Sequence, residues 1–216
     1  MPGIYQIERA LLEKQVRRYS SYIKGRVLDA GSGSMNRYGK LFDADEYVRL
    51  DVAPGSNVDV VGSIEEMPFT DAEFDAVVST QVLEHVPHPH LAAKEIFRVL
   101  RPGGRALITV PQWNELHEEP HDYWRYTSFG LANLFTEAGF TVLASEQRGG
   151  FFAARAQMGM RYLIDRFSLY QHWWGRAFHY AFRVWGAVAL ALDRADRSAA
   201  NRKHAIGWIF VFEKPL

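Results

Sequence analysis

A chain of 216 residues, 48% hydrophobic and 23% charged, has the composition of one ordinary folded domain with room for an insertion, which excludes a disordered chain. The lack of cysteine excludes a disulfide framework, a thiolate zinc site and a cysteine nucleophile; no apolar run nears the roughly eighteen residues of a bilayer span, and an N-terminus carrying Glu8 and Arg9 is no secretory signal, which leaves the cytoplasm as the expected location. The zero net charge hides a split, because residues 148–203 hold ten Lys and Arg against three Asp, a formal +7, and the remainder carries −7.

Ile7, Leu11, Leu12 and Val16 recur at helical spacing, which predicts an amphipathic helix over 4–23, ended by Gly25. Residues 26–30 read as a short strand running into the turn Gly31-Ser32-Gly33-Ser34. A short helix is expected over 36–42, then strands over 47–50 and 58–61. The unbroken Ala76-Val77-Val78 marks a strand over 74–79 covered on both faces, as parallel strands are. A helix over 91–100 is stopped by Arg101-Pro102-Gly103-Gly104, and 105–110 is a strand closed by Pro111. Thr127 is placed to cap a helix running to Ala138, with Gly139 as its stop; strands follow at 140–146 and 207–213. Strands alternate with helices up to about residue 146, the rhythm of an α/β fold with a mostly parallel sheet. Residues 149–203 break that rhythm: they are helical in pattern and read as an insertion before the last strand.

The strongest chemical signal is Val27-Leu28-Asp29-Ala30-Gly31-Ser32-Gly33-Ser34, followed one strand later by Asp51. Glycines at the tip of a first strand allow the close approach that ligands need at the carboxyl edge of an open α/β sheet. An acid at the end of the next strand is placed to accept from two ribose hydroxyls. A nicotinamide dinucleotide would want a third glycine where Asn36 stands, and Asp29 would repel a phosphate while suiting the cationic amino group of a methionine moiety.

These residues resemble the seven-strand, class I S-adenosylmethionine-dependent methyltransferases, in particular the small-molecule group related to ubiquinone and menaquinone biosynthesis enzymes. The resemblance continues through Val61-Gly62-Ser63-Ile64-Glu65-Glu66-Met67-Pro68-Phe69, through 74–86 with its Leu83-Glu84-His85-Val86, and through 95–104. It implies a single domain over 1–216 on a Rossmann-like, three-layer α/β/α fold: a seven-stranded, mostly parallel sheet with the last strand antiparallel, an N-terminal helix over 1–24 and a helical cover over 149–203. It implies S-adenosylmethionine as cofactor, with Asp29, Ala30, Gly31 and Gly33 at the methionine end and Asp51 on the ribose. Val52 then lies beside the adenine, Ser63 and Ile64 at its edge, and Thr80 and Gln81 at the floor near the sulfonium. Ser63 stands where many relatives carry Asp.

A second cluster, His117-Glu118-Glu119-Pro120-His121-Asp122-Tyr123-Trp124-Arg125-Tyr126-Thr127, follows the fifth strand. It resembles a subgroup, with an Asp-Tyr-Trp-Arg motif, found among bacterial polysaccharide genes, which implies a sugar, glycolipid or other small acceptor. Methyl transfer is an in-line displacement governed by alignment, with a base where the acceptor is an oxygen or nitrogen. His121 or His117 has the ordinary acidity for such a base, oriented by Asp122; Tyr123, Trp124, Arg125 and His85 are candidate acceptor contacts. No metal is expected, because no His-x-x-x-His helix pair occurs.

The basic, aromatic segment 149–203 has three readings: a packed cover over the acceptor pocket, a surface lying on a bilayer, or a single-strand nucleic-acid groove. The acidic remainder of the chain weighs against nucleic acid. An active methyltransferase is the expectation; a catalytically inactive S-adenosylmethionine-binding partner or scaffold is its alternative.

Overall fold

The computed structural model of the chain describes residues 4–34 and 37–216. In chain order they form α1 (Ile7–Tyr19), β1 (Lys24–Ala30), β2 (Asp43–Asp51), β3 (Val60–Val61), β4 (Phe74–Thr80), α2 (Pro89–Val99), β5 (Leu100–Pro111), α3 (Ser128–Glu137), β6 (Thr141–Arg148), α4 (Phe151–Arg166), α5 (Ala177–Ala195), α6 (Ala199–Arg202) and β7 (Gly207–Glu213). The seven strands make one sheet in the order β3-β2-β1-β4-β5-β7-β6. Strands β1 to β5 pair in parallel. β7 runs against its neighbour: Gly103 and Lys214 bond at one end of the β5–β7 pair and Gln112 and Ile206 at the other, each at 2.8 Å. The α/β, Rossmann-like class expected from the sequence is therefore the fold observed, with the helical insertion falling between β6 and β7.

The chain divides into two compact units. A sheet unit takes residues 16–111, 116–146 and 208–216, and a helical unit takes 4–15, 112–115 and 147–207. The sheet unit is built around central β4, whose Ala76, Val77 and Val78 are fully buried, and its core gathers Leu28, Phe74, Ile96, Leu107, Phe135 and Phe212. The helical unit has its own core, in which Ile7, Met160, Ile164, Phe182 and Ile206 surround small residues of α4 and α5.

Several element boundaries differ from the sequence expectation, each for a local reason. The helix expected over 36–42 begins at Asn36, outside the described residues; within them only a 3-10 turn, Gly39–Leu41, is present, and a leading glycine favours no longer helix. β2 starts earlier than expected, at Asp43, because β1 reaches back to Lys24 and pairs with it there. Gly25 is no helix stop: α1 ends at Tyr19, and Gly25 lies within β1 at φ +75°, where the register with β2 shifts past Asp45. A Cβ at Gly25 would fall 2.6 Å from Asp75 Oδ2, the oxygen that accepts from the Arg26 N–H at 2.8 Å. β5 starts at Leu100, which pairs with Phe74, while Arg105 pairs with Ala76, so that the register against β4 shifts there, with Gly103 and Gly104 bonded to Lys214. The third strand is only two residues long. Thr127 caps α3 as expected, accepting from the Gly130 N–H at 3.0 Å, and Gly139 ends the helix at φ +107°. Among the described residues no helix is long and apolar enough to cross a membrane.

Candidate active site

The carboxyl ends of β1, β2 and β4 open into a cleft of about 430 Å³. Of the residues singled out from sequence, Gly31, Asp51, Val52, Ser63, Ile64, His85 and His121 line it together. Gly31 sits at the tip of β1 at φ +86°, its N–H bound to Leu50 O at 2.9 Å. A Cβ there would lie 2.4 Å from Val82, so the bend tolerates no side chain without displacing the wall that follows β4.

Asp51 ends β2 with its carboxylate fixed by two backbone donors. Its Oδ2 accepts from the Gly33 N–H at 2.8 Å and its Oδ1 from the Ala53 N–H at 3.0 Å. These bonds tie the glycine turn to the acid and leave further lone pairs on both oxygens. Val52 beside it is 75% exposed, and Ile64 is buried. The Ser63 oxygen accepts from the Glu65 N–H at 3.1 Å and keeps its hydrogen for another partner.

Asp29 and Ala30 lie behind the cleft wall, both buried. The Tyr47 hydroxyl donates to Asp29 Oδ2 at 2.9 Å. Burial pushes the Asp29 carboxyl up to about 6; the Tyr47 bond opposes that shift, and the neighbouring Asp51 charge adds to it. Thr80 ends β4 opposite Thr109, and Gln81 follows at φ +56°, in the left-handed region that side chains rarely occupy. Its amide holds it there, donating to Thr109 Oγ1 at 3.1 Å while its backbone N–H donates to Thr109 O at 3.0 Å. Thr80 and Gln81, like Asp29, Ala30 and Gly33, support the cleft without lining it.

The second sequence cluster divides by geometry. Asp122 was expected to orient whichever histidine acts as base; it meets His117, whose backbone N–H donates to Asp122 Oδ2 at 3.0 Å and whose Nδ1 lies 3.4 Å away. Arg125 grips the same carboxylate with two bonds, at 2.6 and 2.7 Å, and pulls the Asp122 carboxyl down to about 2 against its desolvation. Arg125 is thus committed to Asp122 and is not a free donor for an anionic acceptor. The Trp124 indole donates to Val86 O at 2.9 Å and the Tyr126 hydroxyl to Leu83 O at 3.0 Å, which anchors this loop to the turn after β4. The rings of Tyr123 and Trp124 stay partly exposed.

His85 and His121, both lining the cleft, are held together by this anchoring. The His85 Nδ1 stands 2.6 Å from His121 O; a carbonyl only accepts, so Nδ1 carries a proton, and in the neutral ring Nε2 is the nitrogen with the lone pair. Glu118 Oε2 lies 4.0 Å from that Nε2. His121 Nδ1 faces the Tyr123 hydroxyl at 3.0 Å. Glu84, fully buried, completes a set with His85 and His117 whose donor atoms lie within 4.8 Å of one another, an arrangement of two imidazoles and one carboxylate that could take a divalent cation. Glu118 and Glu84 were not singled out from sequence. Each is adjacent to a residue that was, but nothing local distinguishes a cleft carboxylate from a solvated one.

A nucleoside-sized cleft at the strand tips of a seven-stranded α/β sheet, walled by a glycine bend and an acid, defines the class, and comparison with known proteins places the chain within it. A family description termed Methyltransferase domain matches residues 28–108. A protein of Encephalitozoon cuniculi, assigned provisionally to the methyltransferases, is 30% identical over 152 residues, 54% of this chain and 70% of that one. A sterol 4-C-methyltransferase of Caenorhabditis elegans is 27% identical over 146 residues, 65% of this chain but only 42% of its own length. The chain likewise spans 32% and 26% of two further relatives. Among solved structures, the [4+2]-cyclase SpnF superposes with a TM-score of 0.64 at 21% identity, covering 95% of this chain and 80% of that one. The chain belongs to the class I S-adenosylmethionine-dependent methyltransferase family. That a cyclase shares the fold shows why the reaction must be argued from the site.

Proposed function

We propose that the cleft binds S-adenosylmethionine and that the chain passes its methyl group to an oxygen or nitrogen of a small-molecule, sugar or lipid-linked acceptor. The observation that carries this reading is the shared cleft of Gly31, Asp51, Val52, Ser63 and Ile64, in which an oriented carboxylate faces a bend that admits no side chain. When bound, the cofactor supplies a methyl group on a positively charged sulfur. Asp51 takes the ribose hydroxyls through its remaining lone pairs. The Ile64 backbone and the Ser63 hydroxyl hydrogen serve the adenine edge, with Val52 against its face. Asp29, set deeper, balances the amino group of the methionine moiety.

Alignment supplies most of the rate in such a displacement, and the chain's own chemical task is the acceptor proton. His85 is the best placed base, since its Nδ1 is committed to the His121 carbonyl and its Nε2 is left to accept. His85 Nε2 would take the proton that the acceptor oxygen or nitrogen gives up on methylation. His121 and Glu118 beside it, in a cleft mouth of mixed polarity, suit a hydroxylated acceptor. The Asp-Tyr-Trp-Arg motif supports a sugar or lipid-linked one.

Calorimetric titration with S-adenosylhomocysteine tests the cofactor site. Asp51→Ala should weaken binding about a hundredfold, the loss of two hydrogen bonds to a charged group; equal heats from both proteins would remove Asp51 from the site. Labelled-methyl incorporation into cell-envelope extracts then tests transfer. His85→Gln should lower the rate by about a hundredfold or more while leaving the titration unchanged, and an undiminished rate excludes His85 as base.

A further inference from the structure

We propose that the helical unit lies on an anionic bilayer surface, with the outer face of α5 among the lipid headgroups. α5 carries Tyr180, Val184, Val188 and Leu192 at a spacing of four, 73%, 66%, 54% and 44% exposed. Such a stripe on a helix normally faces a core, and here it faces outward. Trp173, just before the helix, is 86% exposed, and Tyr162 of α4 is exposed as well.

The charges around the stripe identify what covers it. Arg155, Arg183, Arg194 and Arg197 are all exposed, and among the described residues none pairs with a carboxylate. The three acids of the segment are occupied elsewhere. Asp165 lies 3.7 Å from Arg161, Asp196 accepts from the Ser198 N–H, and Asp193, the only acid of α5, turns inward to accept from the N–H groups of Gly150, Phe152 and Ala153. An outer face with large apolar side chains, unpaired exposed arginines and the one acid of α5 turned inward complements a negatively charged interface. A second copy of the chain is a poorer occupant, because a two-fold pairing would set this basic face against itself. The inference rests on the helical unit alone and holds whether or not the cleft transfers a methyl group.

Sedimentation of the full chain with phosphatidylcholine vesicles, with and without phosphatidylglycerol, tests it. The chain should sediment with the anionic vesicles at low salt, remain in solution with phosphatidylcholine alone, and be released by salt. Arg183→Gln and Arg194→Gln should each weaken binding about fivefold. The pair Val184→Glu and Val188→Glu should weaken it further, with the S-adenosylhomocysteine titration unchanged as proof of a folded cleft. No binding to anionic vesicles at low salt overturns the proposal. So does a lipid-free dimer in sedimentation velocity that the Val184→Glu and Val188→Glu pair dissolves, which would assign the stripe to a second copy.

Discussion

The two units differ in what their interiors hold beside apolar side chains. In the sheet unit the phenylalanines of the core stack inside: Phe135 lies on Phe212 at 4.3 Å, and Phe97 meets Phe140 edge-on at 5.1 Å, while Phe129, Tyr123 and Trp124 are exposed. Its ion pairs, such as Arg98 with Glu95 and Asp71, lie nearer the surface. In the helical unit several large rings, Trp173 and Tyr180 among them, sit outside, and the interior packs Ile7, Met160, Ile164 and Phe182 against Ala153, Ala154, Ala156 and Ala189 beside a buried polar group. Arg148 is 1% exposed; it donates to Gln15 Oε1 at 3.0 Å and to Glu8 Oε1 at 3.3 Å. Gln157, also buried, accepts from the Glu8 N–H at 3.2 Å. Both units therefore bury apolar side chains, and the helical unit adds a buried polar network whose members depend on one another.

Breaking that network should give the largest effect. Arg148→Met removes the cation from a buried carboxylate and should cost about 3–5 kcal/mol. Amide exchange should rise across α4 and α5 while β1 and β4 keep their protection. Equal loss in both units would show that they do not differ in this way. The double change Arg148→Met with Glu8→Leu should recover much of the loss, since an apolar pair can replace a buried ionic one.

The next effect belongs to the sheet unit and is one of pH. Asp29 has a folded pKa of about 6 against an ordinary 3.8, so the folded chain holds this proton more tightly than the unfolded one. Stability from this group is complete below about pH 4 and declines as pH rises through 6, by roughly 2–3 kcal/mol in total. Cofactor binding should run the other way, because the cationic amino group needs the ionised carboxylate. S-adenosylhomocysteine affinity should fall up to about tenfold per unit as pH drops below 6. Asp29→Asn should flatten both trends, and an unchanged pH profile of affinity in that variant would detach Asp29 from the methionine end.

What the sequence disclosed follows the same division. That Gly31 and Asp51 share one cleft was legible because a glycine bend at a strand tip and the next strand's acid are local features. The α/β class and its mostly parallel sheet followed from the alternation of strands and helices, whereas the strand order did not. The roles around 117–125 were less legible. That Arg125 closes on Asp122 is a matter of side-chain direction, and that His85 faces the cleft depends on the carbonyl of His121, 36 residues away. The positive φ at Gly25 lies against Asp75, which no window around Gly25 contains. The helical unit was legible as helices and as a charge imbalance, but not in which side chains turn out: α4 and α5 decide that between them.

Helix starts give the finest form of the comparison. α3 is capped from its own sequence, by Thr127 on the Gly130 N–H, whereas α4 begins at Gly150 with no side-chain cap of its own and borrows Asp193 from α5, 40 or more residues on. Asp193 takes three N–H groups of that first turn and places a negative charge at the positive end of the helix. Asp193→Ala should therefore cost about 2 kcal/mol, and Thr127→Ala, which removes one neutral cap, about 1 kcal/mol. Denaturant midpoints of the two variants measure the difference. The locations should differ too, since exchange should rise at 151–154 in the first and at 128–131 in the second. If Thr127→Ala proved the costlier change, the local cap would be the stronger support, and the helical unit would not depend on contacts distant in sequence as its geometry requires.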